Sequence, residues 1–414
     1  MKTRYQGLIL MTILVLTGSG VLIRNGRKEA TMEEVKKIHQ KALTLDSHTD
    51  TPFYLTDEGF DFSGRNGNKG FRNCVDLTKM QEGGLDAVFL AVFVGQGPRN
   101  DSMNAAVRAR AFTQFDTIRN SVARYPDMAR LALTPDDAYQ NQKKGLRSIY
   151  IGIENGYVLG NDITLVNEYY HRGARYITLC HSKNNDICDS SSDEKGPEHD
   201  GLSDFGKTVV EEMNRVGMMV DVSHASDKSF YDILEVTRAP VIASHSDCRA
   251  LCDMKRNLTD DMLVKLAENG GVIQICFLSA YVKKMDDNIQ RDSAMAVWHT
   301  KYPDYGALAP AEQKIAGKEW DDIDERFPSP KAKVSDMVDH IDHAVKIAGI
   351  DHVGIGTDFD GGGGLSDCTD VSMMENVTAE LAKRGYTEEE IIKIWGGNFM
   401  RVFREVNKVS EKMQ

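Results

Sequence analysis

The sequence predicts an α/β chain wound into a (β/α)8 TIM-type barrel, with a polar insertion late in the chain and closing helices at the C-terminal end. Three observations predict it. Eight short apolar runs recur with stretches of helical period between most of them, the alternation of a closed parallel barrel. Six of those runs end at a histidine or a carboxylate, and barrels of this type keep their chemistry at the C-terminal ends of the strands. An open, doubly wound sheet would spread the same ends along a line instead of around one mouth. Finally, 414 residues with 41% hydrophobic and 27% charged side chains suit a large globular domain with insertions.

In chain order, Lys2 and Arg4 precede an uncharged, mostly apolar stretch from residue 5 to 23. Residues 1–24 resemble an export signal, with Gly18-Ser19-Gly20 as a small-residue cleavage zone; a retained N-terminal membrane anchor is the rival reading. Either one makes the protein exported, periplasmic or extracellular. The folded domain then spans residues 31–408. Thr31 caps a short helix carrying Val35 and Ile38, which leads into a first strand at 42–45 and the segment Asp46-Ser47-His48-Thr49-Asp50. Residues 54–73 are rich in Gly, Asn and Asp and read as a long loop. A second strand at 85–94 and a helix at 104–125 follow.

The rhythm then becomes regular. Runs at 147–153, 174–180, 217–223 and 239–244 end in Glu154, His181, His224 and His245; a run at 271–278 follows, and one at 352–357 ends in Asp358. Helical stretches at 165–171, 204–215, 226–236, 259–268 and 334–347 lie between them. The polar segment at about 281–330, with Trp298 and Trp320, reads as an insertion over the barrel mouth or side. Residues 372–406 read as two closing helices, the second broken by Trp395-Gly396-Gly397-Asn398. His340 and His343, with Asp336, Asp339 and Asp342, read as a solvated helix face.

Composition excludes some functions. With 62 acidic against 50 basic residues, a net charge of -12 and no long basic run, the chain lacks the cationic surface that nucleic acid requires. The seven cysteines match no zinc-knuckle spacing; export permits a disulfide among them, while Cys180 and Cys276, inside apolar runs, read as small buried residues.

The strand ends carry the chemistry. On an extended strand residues i and i+2 face the same way, so His48 and Asp50 point together and form half of a divalent-metal site. With Glu154, His224 and His245 the donors are too many for one tetrahedral zinc that keeps a position open, and suit two metals sharing a carboxylate. Glu154, between the first pair and the two later histidines, is the natural bridge. Ions about 3.5 to 4 Å apart would hold a shared hydroxide formed near neutral pH. Asp358, in Gly356-Thr357-Asp358-Phe359-Asp360-Gly361, would take up and deliver the proton that hydrolysis moves, while Asp360 turns the chain.

Taken together, Asp46 to Pro52, Ile153-Glu154-Asn155, Leu179 to Ser182, Val222-Ser223-His224, Ser244-His245-Ser246, Arg256-Asn257, Gly356 to Gly361 and the late Gly396 to Val402 resemble the membrane (renal-type) dipeptidases, zinc enzymes on an amidohydrolase-like barrel. The resemblance runs from about residue 46 to 402. It implies hydrolysis of dipeptides with a free C-terminal carboxylate, two zinc ions with manganese or cobalt as alternatives, and a homodimer as a compatible assembly. It also implies roles: His48 and Asp50 on one ion, His224 and His245 on the other, His181 at the scissile carbonyl oxygen, Arg256 on the substrate carboxylate, and Tyr281 as a substrate contact. Thr49 stands where the family usually has asparagine, the cysteines do not follow the vertebrate disulfide pattern, and the C-terminal lipid anchor of those members is absent. A barrel metallohydrolase acting on a lactam, lactone or cyclic amide is the second reading, and a catalytically silent exported binding barrel the third.

Overall fold

The computed structural model describes residues 30–414 apart from 304, 306 and 307, so the export or anchor reading of residues 1–24 lies outside the described residues. Nine strands form one parallel sheet: β1 (Leu45–Thr49), β2 (Ala87–Phe93), β3 (Ala129–Leu131), β4 (Arg147–Glu154), β5 (Ala174–Thr178), β6 (Met219–Asp221), β7 (Ile242–Ser246), β8 (Val272–Ile275) and β9 (Val353–Ile355). Eight run in the order β1-β2-β4-β5-β6-β7-β8-β9, and β3 pairs only with β4, outside the ring. The sequence reading missed β3 because three residues are too few to show a period. The ring closes just past β9: Asp358 N donates to His48 O at 3.1 Å and Asp50 N to Phe359 O at 2.9 Å. The TIM-type barrel is therefore the observed architecture.

The helices stop and start where capping chemistry says they should. Thr31 and Glu34 form a reciprocal capping box for Met32–Lys41; Ser203, Ser226 and Thr259 cap Asp204–Val216, Asp227–Val236 and Asp260–Glu268 by accepting from a backbone N–H one turn on. Helices at Leu77–Glu82 and Pro135–Lys143 were not anticipated; the second carries its own Thr134/Asp137 capping box. The closing segment has more pieces than expected: Glu375–Lys383, Glu388–Ile392, a π-helical turn at Lys393–Gly397 and Asn398–Met413. The anticipated break at Trp395 to Asn398 is that π-turn, which keeps the chain helical instead of ending it.

Alternation along the strands sorts the barrel interior into a floor and a mouth. Phe89, Tyr150, Tyr176 and Met219 point inward at the floor with Ile242 and Val272, and Phe399 and Phe403 of the last helix seal it from below. Phe89 stacks on Tyr150 at 4.7 Å and meets Phe399 edge-on at 5.2 Å. One turn further up, the inward residues change from aromatic to ionisable.

Between β8 and β9 the helices Ile289–Lys301 and Pro310–Arg326 pack through Trp298 and Trp320, whose rings meet edge to face at 4.8 Å. Arg72 ties them to the long loop of residues 54–73 through Asp321 at 3.1 Å. That loop is itself anchored from beneath by the buried Lys79 ammonium, 2.6 Å from Asn68 Oδ1, and by Asp360, which accepts from Thr51 Oγ1 and Cys74 N, each at 2.7 Å. Asp360 thus does more than turn the chain.

One further reading needs correction. His340 is not on a solvated face: it is buried, accepting from Cys248 N at 3.0 Å and donating to Val282 O at 2.6 Å, while Asp339 and Asp342 pair with Arg384. The helix Val334–Ala348 turns that side toward the segments that follow β7 and β8, where Cys248 and Val282 lie, a tertiary choice its charge pattern hides. All seven cysteines are buried and free, as read for Cys180 and Cys276, and no disulfide forms among them.

His39 gives the fold a pH dependence. Its Nε2 donates to Gly83 O at 2.8 Å, and its Nδ1 accepts at 2.7 Å from Thr378 Oγ1, which is engaged on its other side by Trp395 Nε1. Both ring nitrogens are thereby matched to a neutral imidazole, and burial lowers its pKa from the ordinary value. An unfolded histidine binds its proton near pH ~6.5, so below that value the unfolded chain holds more protons than the folded one and stability falls with falling pH. Denaturant midpoints measured from pH 7.5 to 5.5 should drop for the unsubstituted chain and drop less for His39→Gln; equal slopes would refute the assignment.

Candidate active site

At the mouth of the barrel Glu154 is the hub. It is the last residue of β4 and almost fully buried, and its Oε1 lies 3.1 Å from His224 Nε2, 3.4 Å from His245 Nε2, and 3.7 Å from both His48 Nε2 and His181 Nε2. Four imidazoles, two within strands and two just past them, converge on one carboxylate oxygen. Asp50 Oδ2 stands 3.7 Å and Asp358 Oδ1 4.0 Å from His48 Nε2. The rings of His48 and His245 stack at 3.8 Å, and those of His181 and His224 lie 4.3 Å apart.

Local backbone explains how these side chains are aimed. His48 and His245 lie within β1 and β7, but His181, His224 and Asp358 stand three residues beyond β5, β6 and β9. His224 and Asp358 reach the mouth by adopting φ of 68° and 58°, a left-handed conformation that costs a non-glycine residue energy and clusters at functional sites. Asn155, at φ 74°, turns the chain directly after Glu154 and is fixed by bonds to Val94 O at 3.1 Å and from Asn185 Nδ2 at 3.2 Å. A Cβ on Gly361 would come within 2.0 Å of Asp50 Oδ2 and 2.6 Å of Asp358 Oδ1, so only glycine lets the two carboxylates share this corner.

The electrostatics suit a donor set for divalent cations. Burial pushes Glu154 well up, and Asp358 up to about 8 with the Asp50 carboxylate adding to the effect. His48 is held up to about 10 because, against burial, Glu154, Asp50 and Asp358 crowd it. Like charges this close relieve one another only by holding protons or by holding metal. His48 Nε2 and Asp50 Oδ1 are buried with no hydrogen-bond partner among the described residues, and three overlapping groups of His, Asp and Glu donors are close enough to share an ion: His48/Glu154/His245, Glu154/His181/His224 and His48/Asp50/Asp358. Nitrogen and oxygen donors in this number fit divalent zinc, manganese or cobalt. Burial pushes His181 down to about 4 against the pull of Asp50, leaving a neutral imidazole that can donate to a carbonyl oxygen.

Arg256 closes the site on the β7 side. Its guanidinium donates to Ser246 Oγ and His245 O, each at 2.7 Å, and it is buried with no carboxylate within ion-pair reach among the described residues. Tyr281 lies beside it, the ring centroid 5.5 Å from Arg256 Cζ.

A sequence model of the membrane dipeptidases, peptidase family M19, matches residues 32–414. The chain belongs to this family. It is 34% identical over 342 residues to dipeptidase tcpJ of Claviceps purpurea, covering 81% of this chain and 70% of that one. The solved structure of the probable dipeptidase PvdM of Pseudomonas aeruginosa superposes with a TM-score of 0.78 at 31% identity, over 91% of this chain and 98% of that one. A metallopeptidase of Rhodobacter sphaeroides, solved with a phosphinate mimic of the dipeptide L-Ala-D-Ala, shares the fold at a TM-score of 0.69 and 20% identity, over 88% and 99% of the two chains.

All nine residues singled out in the sequence meet at this dipeptidase's barrel mouth: His48, Asp50, Glu154, His181, His224, His245, Arg256, Tyr281 and Asp358. Thr49, the departure from the usual asparagine, donates to Phe89 O at 3.2 Å, and its hydroxyl lies 3.3 Å from that of Thr51, whose hydrogen goes to Asp360. Sequence reasoning passed over the residues behind the histidines. Tyr176 OH meets His48 Nδ1 at 2.8 Å, and Asp46 accepts from Thr357 N at 2.8 Å and from its hydroxyl at 2.5 Å. The available signal was a polar group at an inward position of an otherwise apolar strand.

Proposed function

We propose that this dipeptidase works with two divalent ions, zinc first among them, His48 and Asp50 facing one, His224 and His245 the other, with Glu154 between. The convergence of four imidazole nitrogens on Glu154 Oε1 within 3.7 Å is the observation that carries this reading. Bound there, such ions would polarise the peptide carbonyl and lower the pKa of a shared water toward ~7. The rest of the chemistry belongs to the chain. Arg256 offers the free edge of its fork to the carboxylate of a dipeptide, and Tyr281 walls that side. His181, neutral at ordinary pH, donates its N–H to the carbonyl oxygen as negative charge develops there. Asp358 accepts the proton of the attacking water and delivers it to the departing amine nitrogen as the C–N bond breaks.

The proposal includes export, supported by Lys2 and Arg4 ahead of the apolar stretch 5–23. Chelation followed by readdition of zinc, manganese or cobalt should abolish and then restore hydrolysis of unblocked dipeptides, followed by amine release. Full activity in a chain verified to be free of divalent metal would end the reading.

A further inference from the structure

Behind His245 lies a buried hydrogen-bond chain with a direction. Asp221, the last residue of β6, is completely buried, and all four hydrogen bonds of its side chain among the described residues are accepted ones. Its Oδ1 takes the backbone N–H of Ser223 at 3.0 Å and of Ser244 at 2.9 Å; its Oδ2 takes the hydroxyls of Thr178 and Ser244, each at 2.5 Å. A carboxylate offers no hydrogen, so the Ser244 proton points at Asp221 and the Ser244 lone pair points the other way. In that direction, 2.8 Å off, is His245 Nδ1. Nδ1 must then carry the ring hydrogen, which leaves the Nε2 lone pair aimed at Glu154 and His224, 3.4 and 2.9 Å away.

We infer that Asp221 is a positioning residue for the metal centre: acting through Ser244, it fixes the His245 tautomer whose Nε2 is free to bind an ion. This rests on the metal reading proposed above for His245, and concerns a residue that touches neither substrate nor ion. A ligand histidine whose outer nitrogen is held by a second partner binds metal in one tautomer, and losing that partner costs about ten- to hundred-fold in affinity.

The geometry makes an unusual variant informative. In Asp221→Asn the two backbone N–H groups need an acceptor at the Oδ1 position, so the amide oxygen must take that place. The amide NH2 then falls at the Oδ2 position, against two hydroxyls, and its two hydrogens suit both of them. Ser244 becomes an acceptor from Asn and turns its own proton onto His245 Nδ1. The relay is reversed without a cavity, and His245 is left carrying its hydrogen on Nε2, facing the ion.

The test measures zinc and cobalt affinity by competition with a chromogenic chelator for the full chain. Alongside it, long-range 1H–15N correlations of the metal-free protein report which ring nitrogen bears hydrogen, with His245 identified by its loss in His245→Gln. The expected results are about a ten- to hundred-fold loss of affinity in Asp221→Asn, a shift of the His245 hydrogen from Nδ1 to Nε2, and partial recovery when Ser244→Ala is added to Asp221→Asn, because the misdirected hydroxyl is gone. Unchanged affinity, a hydrogen still on Nδ1, or no recovery in the double variant overturns the inference. Should Asp221→Asn not fold, Ser244→Ala alone decides, with a several-fold loss expected and wild-type affinity overturning the relay. Failure of the unsubstituted chain to bind any divalent ion would bring down the metal reading, whereas a His245 hydrogen found on Nε2 in that chain would bring down the relay itself, so the two failures are separable.

Discussion

Glu154→Gln should lower kcat/KM for dipeptides by about 1,000-fold or more, equivalent to ~4 kcal/mol of transition-state stabilisation, and should deplete bound metal in parallel. The substitution keeps size and shape. What it removes is the one negative charge that faces four imidazole nitrogens, and what it introduces is an NH2 that can only donate toward lone pairs meant for cations. Because Glu154 is held by β4 behind it and by the Asn155 turn ahead of it, the variant should fold, and circular dichroism of the metal-free protein will show whether it does. Retained activity with full metal content would remove Glu154 from the centre of the mechanism.

Arg256→Leu should raise KM and cut kcat/KM for free dipeptides by about 100- to 1,000-fold, the ~3 to 4 kcal/mol expected when one partner of a buried charge pair is deleted. A dipeptide amide, which has no carboxylate to offer, should be a poor substrate of the unsubstituted enzyme and should lose little more in the variant. Arg256→Lys should not restore the rate, since an ammonium cannot hold Ser246 Oγ, the His245 carbonyl and a carboxylate at once. If Arg256→Leu leaves the dipeptide KM unchanged, recognition of a free carboxylate is wrong and cyclic amides, lactams or lactones become the substrates to assay.

Much of this is legible in the sequence alone, and the reason is physical. A parallel barrel forces strand ends to one face, so a histidine or carboxylate closing an apolar run declares its destination. His48, Glu154, His181, His224, His245 and Asp358 are all readable in that way. What no periodicity encodes is that the strands stop three residues short of His181, His224 and Asp358, which reach the mouth through loop conformations, two of them left-handed. Arg256 reads as a surface charge from its neighbours alone; only the family resemblance marked it, and the fold then buried it beside His245. The misreading of His340 has the same origin in reverse. Its helix looks uniformly polar on that face, yet Arg384 absorbs Asp339 and Asp342, and the segments carrying Cys248 and Val282 draw the imidazole inside. Tyr176 and Asp221 escaped notice because a single polar residue within a strand signals its role only when its partner across the barrel is known.

The most direct test of the central claim is an anomalous-diffraction map of crystals grown with zinc, collected on both sides of its absorption edge. The account predicts two peaks per chain about 3.5 to 4 Å apart, with Glu154 contacting both, His48 and Asp50 on one and His224 and His245 on the other. A single peak, or a pair that Glu154 does not join, would contradict it.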